Sequence, residues 1–143
     1  MANKFNFNNV LLVDDSEIDI LVNRRLIQLT SFAANVTVTS SGEEALHFLR
    51  EECKSAAHAP DWIFLDMHLP MMSGFDFIEE FKELPEFIRE KTKIIILSVF
   101  QKPERLQKVL EYSFINGQLD KPLTQQALRS LAEKNTIKTD VSS

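Results

Sequence analysis

Five short runs dominated by branched and aromatic apolar residues punctuate the chain: Val10 to Val13, Val36 to Thr39, Trp62 to Leu65, Ile94 to Leu97, and Phe114 to Leu119, the last with Gly117 inside it. Each has the length and composition of a β-strand. Between them the period changes. Ile18, Leu21, Val22, Leu26 and Leu29 recur at spacings that put apolar side chains along one stripe of a helix, as do Ala45, Leu46 and Leu49. A third helix is predicted after Gly74, carrying Phe75, Phe77, Ile78 and Phe81, and ended or bent at Pro85, which cannot donate to a helix interior. A fourth begins at Pro103, a favoured first-turn residue, and carries Leu106, Val109 and Leu110. The last begins near Leu123 or Thr124 and carries Ala127, Leu128 and Leu131. Strands alternating with helices predict an α/β fold, because parallel strands need long crossovers that place helices on both faces of the sheet.

Length and composition narrow the class. A chain of 143 residues is enough for one core. The segment 1–135 is expected to be that single domain, and 136–143, which lacks an apolar pattern, a flexible C-terminal tail. A net charge of −5 without any Lys/Arg block counts against a nucleic-acid surface. No segment approaches the roughly 18 apolar residues of a membrane span, and the first residues contain no apolar run of a signal peptide, so a cytoplasmic location is expected. Cys53 is the single cysteine, which excludes an internal disulfide and a cysteine-based metal site.

In an open parallel sheet, ligands bind beyond the carboxyl ends of the strands. The runs here end in Asp14 and Asp15, in Asp66, in Ser98, and in Asp120, Lys121 and Pro122. Taken singly, each has an ordinary reading: an Asp pair after a strand caps a helix, and a serine or a lysine is a surface residue. Together they converge. Asp14, Asp15 and Asp66 on one edge oppose one another's ionisation unless a cation shares the site, and oxygen-only ligands suit magnesium. Three carboxylates, a divalent ion and the Lys121 ammonium leave the site near neutral. A phosphoryl group on Asp66 would replace one negative charge by about two. Lys121 and the ion can absorb that change, and Ser98 can donate to a new oxygen. The pattern points to phosphoryl transfer with Asp66 as nucleophile.

The segments NVLLVDDS, WIFLDMHLPMMSG, IIILS and LDKPL, in that order, resemble the receiver domain of two-component response regulators, and the likeness extends from about Asn8 to Asn135. The resemblance implies a flavodoxin-like, doubly wound five-stranded parallel sheet in the order 2-1-3-4-5. By position it makes Asp66 the phosphoacceptor, Asp15 a direct Mg2+ ligand, Asp14 a second acidic ligand acting through water, and the main-chain carbonyl of His68 a further ligand. Ser98 and Lys121 match the family's hydroxyl and lysine, and the Lys121–Pro122 bond is implied to be cis. The His68 side chain is expected to influence how readily water attacks the acyl phosphate, and Gly74 to serve backbone geometry. His47 and His58 are expected to be structural or solvated. The implied partners are a sensor histidine kinase or a histidine phosphotransfer protein, with a downstream protein docking on the fourth helix, fifth strand and fifth helix of a regulator that stands alone.

Two positions depart from the family pattern. Gln118 stands three residues before Lys121, where the family often has Tyr or Phe, and Val99 follows Ser98 where a small residue is common. Switching is therefore expected to run through the fourth helix and the loop holding Phe100 rather than through an aromatic rotamer. Other classes fit less well. A dehalogenase-type phosphatase needs a second Asp two residues after the nucleophile, and His68 is there; a flavin carrier needs a Ser/Thr/Gly-rich phosphate loop where this chain has Asp14 and Asp15. A receiver that only scaffolds would not need the full acidic set together with Ser98 and Lys121.

Overall fold

A computed structural model describes the backbone of residues 4–98 and 104–142 and the side chains of residues 4–98 and 106–134. Along it run β1 (Phe7–Val13), α1 (Glu17–Leu29), β2 (Ala33–Thr39), α2 (Gly42–Glu51), β3 (Trp62–Asp66), α3 (Gly74–Phe81), α4 (Glu86–Lys91), β4 (Lys93–Ser98), α5 (Glu104–Val109), β5 (Ile115–Asp120) and α6 (Gln125–Ser142). All strand pairs are parallel, and the sheet order is β2-β1-β3-β4-β5, the doubly wound arrangement expected. Strand side chains alternate between two cores. Leu11, Val13, Ile63, Leu65, Ile94 and Ile96 meet Leu46, Leu49, Phe77, Phe81, Ile88 and Leu106 from α2, α3, α4 and α5. On the opposite face Val10, Leu12, Trp62, Phe64, Ile95 and Leu97 meet Ile27 of α1 and Leu128 and Ala132 of α6. Strands covered on both faces have no polar side to alternate with, which is why the central runs are continuously apolar.

Several elements differ from the pattern-based expectation. β1 starts three residues earlier, at Phe7, where the Asp61 carboxylate accepts from the Asn8 and Asn9 N–H groups at 3.0 Å, and β2 starts three residues earlier with it, Ala33 pairing with Phe7. Pro85 ends α3's extension but also opens a helix, as N-cap of α4, whose Ile88 is fully buried. α1 turns most of its predicted stripe to solvent: Ile18, Leu21, Val22 and Leu29 are exposed at 74, 70, 41 and 53%, Leu26 packs half-buried against the second core, and Asn23 and Ile27 are buried. In β5, Ile115 pairs with Ile94 and Gly117 with Ile95, so Asn116 is an extra residue and Gly117 takes φ 151°, a value open to glycine. α6 continues to Ser142 through the stretch without apolar pattern, and the last core side chain it contributes among the described residues is Ala132. Val99, Phe100 and Pro103 lie outside the described residues.

Candidate functional site

β1 gives way to α1 over three residues, which throws Asp14 and Asp15 out beyond the sheet edge. The cap of α1 is Ser16, whose Oγ accepts from the Asp19 N–H at 3.2 Å. Asp14 is thereby not needed as a cap. Its Oδ1 accepts from the Ser16 N–H at 2.9 Å, fixing the carboxylate in a nearly closed environment at 3% exposure. Asp66 ends β3 at 3% exposure and its Oδ1 accepts from the His68 N–H at 3.0 Å. One carboxylate oxygen from each of Asp14, Asp15 and Asp66 lies within 4.8 Å of the other two, with Asp15 exposed to solvent.

Lys121 follows β5 and reaches back across the sheet edge. Its Nζ lies 3.1 Å from Asp19 Oδ2, 3.3 Å from Asp66 Oδ2 and 3.4 Å from Asp14 Oδ2. The electrostatics follow from burial and company. Burial pushes the Asp14 carboxyl above its ordinary 3.8, and the Asp66 charge adds to the rise, against the Ser16 N–H and Lys121. Burial also works against the Lys121 ammonium, yet the Asp19 hydrogen bond and the charges of Asp66, Asp14 and Asp19 outweigh it and lift its pKa above 10.5. One ammonium among Asp14, Asp15, Asp19 and Asp66 leaves the cluster short of positive charge. An all-oxygen donor set with that deficit fits a hard divalent cation.

Ser98 ends β4 at 6% exposure. Its Oγ accepts from Gln118 Nε2 at 2.9 Å, and the same nitrogen donates to Asp120 Oδ1 at 3.1 Å. The Lys121–Pro122 peptide is cis, as the sequence resemblance implies. Gly74 serves a close approach rather than an unusual dihedral: a Cβ there would come within 2.8 Å of Met67 Cα and 3.2 Å of the Asp66 carbonyl oxygen. The start of α3 thus passes directly against the main chain of Asp66 and Met67. His68 is exposed beside it.

The structure therefore brings Asp14, Asp15, Asp66 and Lys121 together, and it puts Ser98 at the neighbouring strand end. Sequence reasoning missed two members. Asp19 is the nearest partner of Lys121 yet stands 102 residues away; the available signal was a carboxylate one helical turn beyond Asp15. The Gln118 link to Ser98 had a signal too, since two residues on β5 and β4 displaced by one pleat share a face.

Comparison with known proteins gives the same picture. A family model for the response regulator receiver domain matches residues 10–133. The chain is 33% identical over 122 residues to the autoinducer 1 sensor kinase/phosphatase LuxN of Vibrio campbellii, covering 84% of this chain and 12% of that protein. It is 33% identical over 108 residues to the two-component response regulator ARR3 of Arabidopsis thaliana, covering 72% of this chain and 45% of the other. It thus spans an eighth of one relative and under half of the next. Among solved structures, a two-component response regulator from Cytophaga hutchinsonii superposes with TM-score 0.80 at 28% identity, covering 89% of this chain and 95% of that one. A response regulator receiver protein from Dyadobacter fermentans gives 0.75 at 28% identity, with coverage of 88 and 95%. With the family model spanning nearly every element of the sheet and its helices, the chain belongs to the response regulator receiver domain family.

Proposed function

We propose that this receiver domain is a phosphoacceptor switch in which Asp66 takes a phosphoryl group from a phosphohistidine of a sensor histidine kinase or a histidine phosphotransfer protein. The observation that carries the reading is the Lys121 ammonium held between Asp66 and Asp14 at 3.3 and 3.4 Å, at the edge of a three-carboxylate cluster. An Asp66 carboxylate oxygen attacks phosphorus; the O–P bond forms as the N–P bond breaks, and the electron pair stays on the imidazole nitrogen, which takes up a proton. Asp66 thereby gains about one negative charge. Lys121, already against Asp66 Oδ2, neutralises part of it, and the Ser98 hydroxyl donates to a phosphoryl oxygen. Asp14, Asp15, Asp66 and the main-chain carbonyl of His68 would hold a magnesium ion, which would supply positive charge against the incoming phosphoryl oxygens.

The domain acts as a switch with self-catalysed phosphotransfer and dephosphorylation rather than as an enzyme with turnover. It works in the cytoplasm, in keeping with the absence, among the described residues, of any helix long and apolar enough to cross a membrane. Exposed Ile18, Leu21 and Val22 on α1 flank Asp15 and Asp19, and they offer an apolar surface for the donor to rest on. Incubation with acetyl phosphate and Mg2+, followed by intact mass measurement, tests the assignment. Wild type gains one hydroxylamine-labile phosphoryl group and Asp66→Ala gains none. An adduct that persists in Asp66→Ala, or its absence from wild type, overturns the reading.

A further inference from the structure

Gln118 is a polar side chain at a position where nothing in the proposed chemistry calls for one, and its amide is held at both ends of its –NH2 group. Asp120, when ionised, can only accept hydrogen bonds, so the group facing it must be the nitrogen of Gln118 and not the oxygen. That fixes the amide orientation. The same nitrogen is 2.9 Å from Ser98 Oγ, so Ser98 is the acceptor in that contact and its own hydrogen is directed elsewhere. The neighbouring strand end is that of Asp66, because Leu97 is the register partner of Asp66 and Ser98 is the next residue. Ser98 is 6% exposed, which leaves water little part in setting the hydroxyl rotor.

We infer that Gln118 is a positioning residue for phosphorylation: anchored by Asp120, it donates to Ser98 Oγ and thereby reserves the Ser98 proton for a phosphoryl oxygen on Asp66. The inference rests on the phosphoacceptor reading and names the regulation of that site. A hydroxyl that accepts one hydrogen bond is a better donor in the next, so the Gln118 contact strengthens as the phosphoryl contact forms. Any shift of Ser98 Oγ toward Asp66 is also felt by Gln118, half-buried on β5, without an aromatic side chain taking part.

The test is a double-mutant cycle on the rate of Asp66 phosphorylation by acetyl phosphate in saturating Mg2+, with thermal melts to confirm folding. Gln118→Met keeps the length and removes the donor, and should slow phosphorylation roughly 3- to 10-fold, the worth of one neutral hydrogen bond. Gln118→Glu offers only acceptors, draws the Ser98 proton away from Asp66, and should slow it further. In a Ser98→Ala background both substitutions should change the rate by less than about 2-fold, because the group they act through is gone. In wild type the Gln118 side-chain amide resonances should shift on addition of beryllofluoride and Mg2+, and in Ser98→Ala they should stay in place. Equal effects in both backgrounds would show a general electrostatic or structural role and overturn the inference, as would unchanged rates in the single variants. A wild-type chain that takes no phosphoryl group sinks the functional reading and this inference with it, whereas normal phosphorylation that ignores Gln118 sinks the inference alone.

Discussion

Asp14 is held as a buried carboxylate against its own preference. Burial and the adjacent Asp66 raise its pKa above 3.8, so part of its charged state is maintained at the expense of the fold. The sign is definite. A carboxyl whose folded value exceeds its unfolded one penalises the native state at neutral pH, and the penalty disappears as pH falls through the folded value toward 3.8. Asp14→Asn should accordingly raise the melting temperature of the metal-free protein at pH 7, by an increment that shrinks as the pH is lowered toward 4, while weakening Mg2+ binding about 10-fold or more. Paired melts at pH 7 and pH 4 in a chelator check it; a variant less stable than wild type at pH 7 contradicts it. What sequence reasoning could see at this scale was side-chain type at each strand end, which is why Asp14, Asp15, Asp66, Ser98 and Lys121 were all candidates. What it could not see were pairings set by three-dimensional placement, such as Asp19 beside Lys121 and Gln118 beside Ser98.

The strands were legible through their apolar runs, β5 included, although Ile115 is its one buried residue. β3 has all five residues buried and its apolar run ends one residue short of the observed Asp66, whereas β1 and β2, which begin with half-polar stretches, were each foreshortened by three residues. α4 escaped notice because a six-residue helix with one buried side chain carries no period, and Pro85 was read only as a stop. α1 shows a different difficulty. Its apolar residues are spread around much of the helix, so two stripes fit, and the sheet selects the face with Ile27 while the longer stripe, apart from Leu26, stays in solvent. The two faces should respond very differently to substitution. Ile27→Ala opens a cavity in the core that Ile27 shares with Phe32 and Phe64 and should cost about 2–5 kcal/mol, whereas Leu21→Ser, at 70% exposure, should change stability by less than about 0.5 kcal/mol. Urea unfolding of both variants decides the matter; a large loss for Leu21→Ser would mean the stripe is covered after all.

At the scale of the whole molecule, the two cores lie on opposite faces of the sheet, and the acidic cluster sits where its central strands end. β1 and β3 are neighbours over Val10 to Val13 and Trp62 to Leu65, and Asp14 and Asp66 extend that pair into the site. Lys121 ties the far strand β5 to the same point through Asp14 and Asp66, so three of the five strands are held by charge at one edge. With four carboxylates around one ammonium, that edge is under net repulsion, which a divalent cation would relieve. Binding of Mg2+ to the folded chain alone should therefore appear as global stability, not as a local change. At a concentration 100 times Kd the linkage is worth about 2.7 kcal/mol, a rise in Tm of roughly 6–12 °C for a domain of this size. Sodium chloride at matched ionic strength should give much less, because screening weakens repulsion among buried groups poorly. Asp66→Ala should lose most of the Mg2+ increment, and chelator should return wild type to its metal-free Tm. An equal rise in wild type and Asp66→Ala would place the ion away from this edge, and equal rises with NaCl and MgCl2 would show that the cluster holds no particular cation.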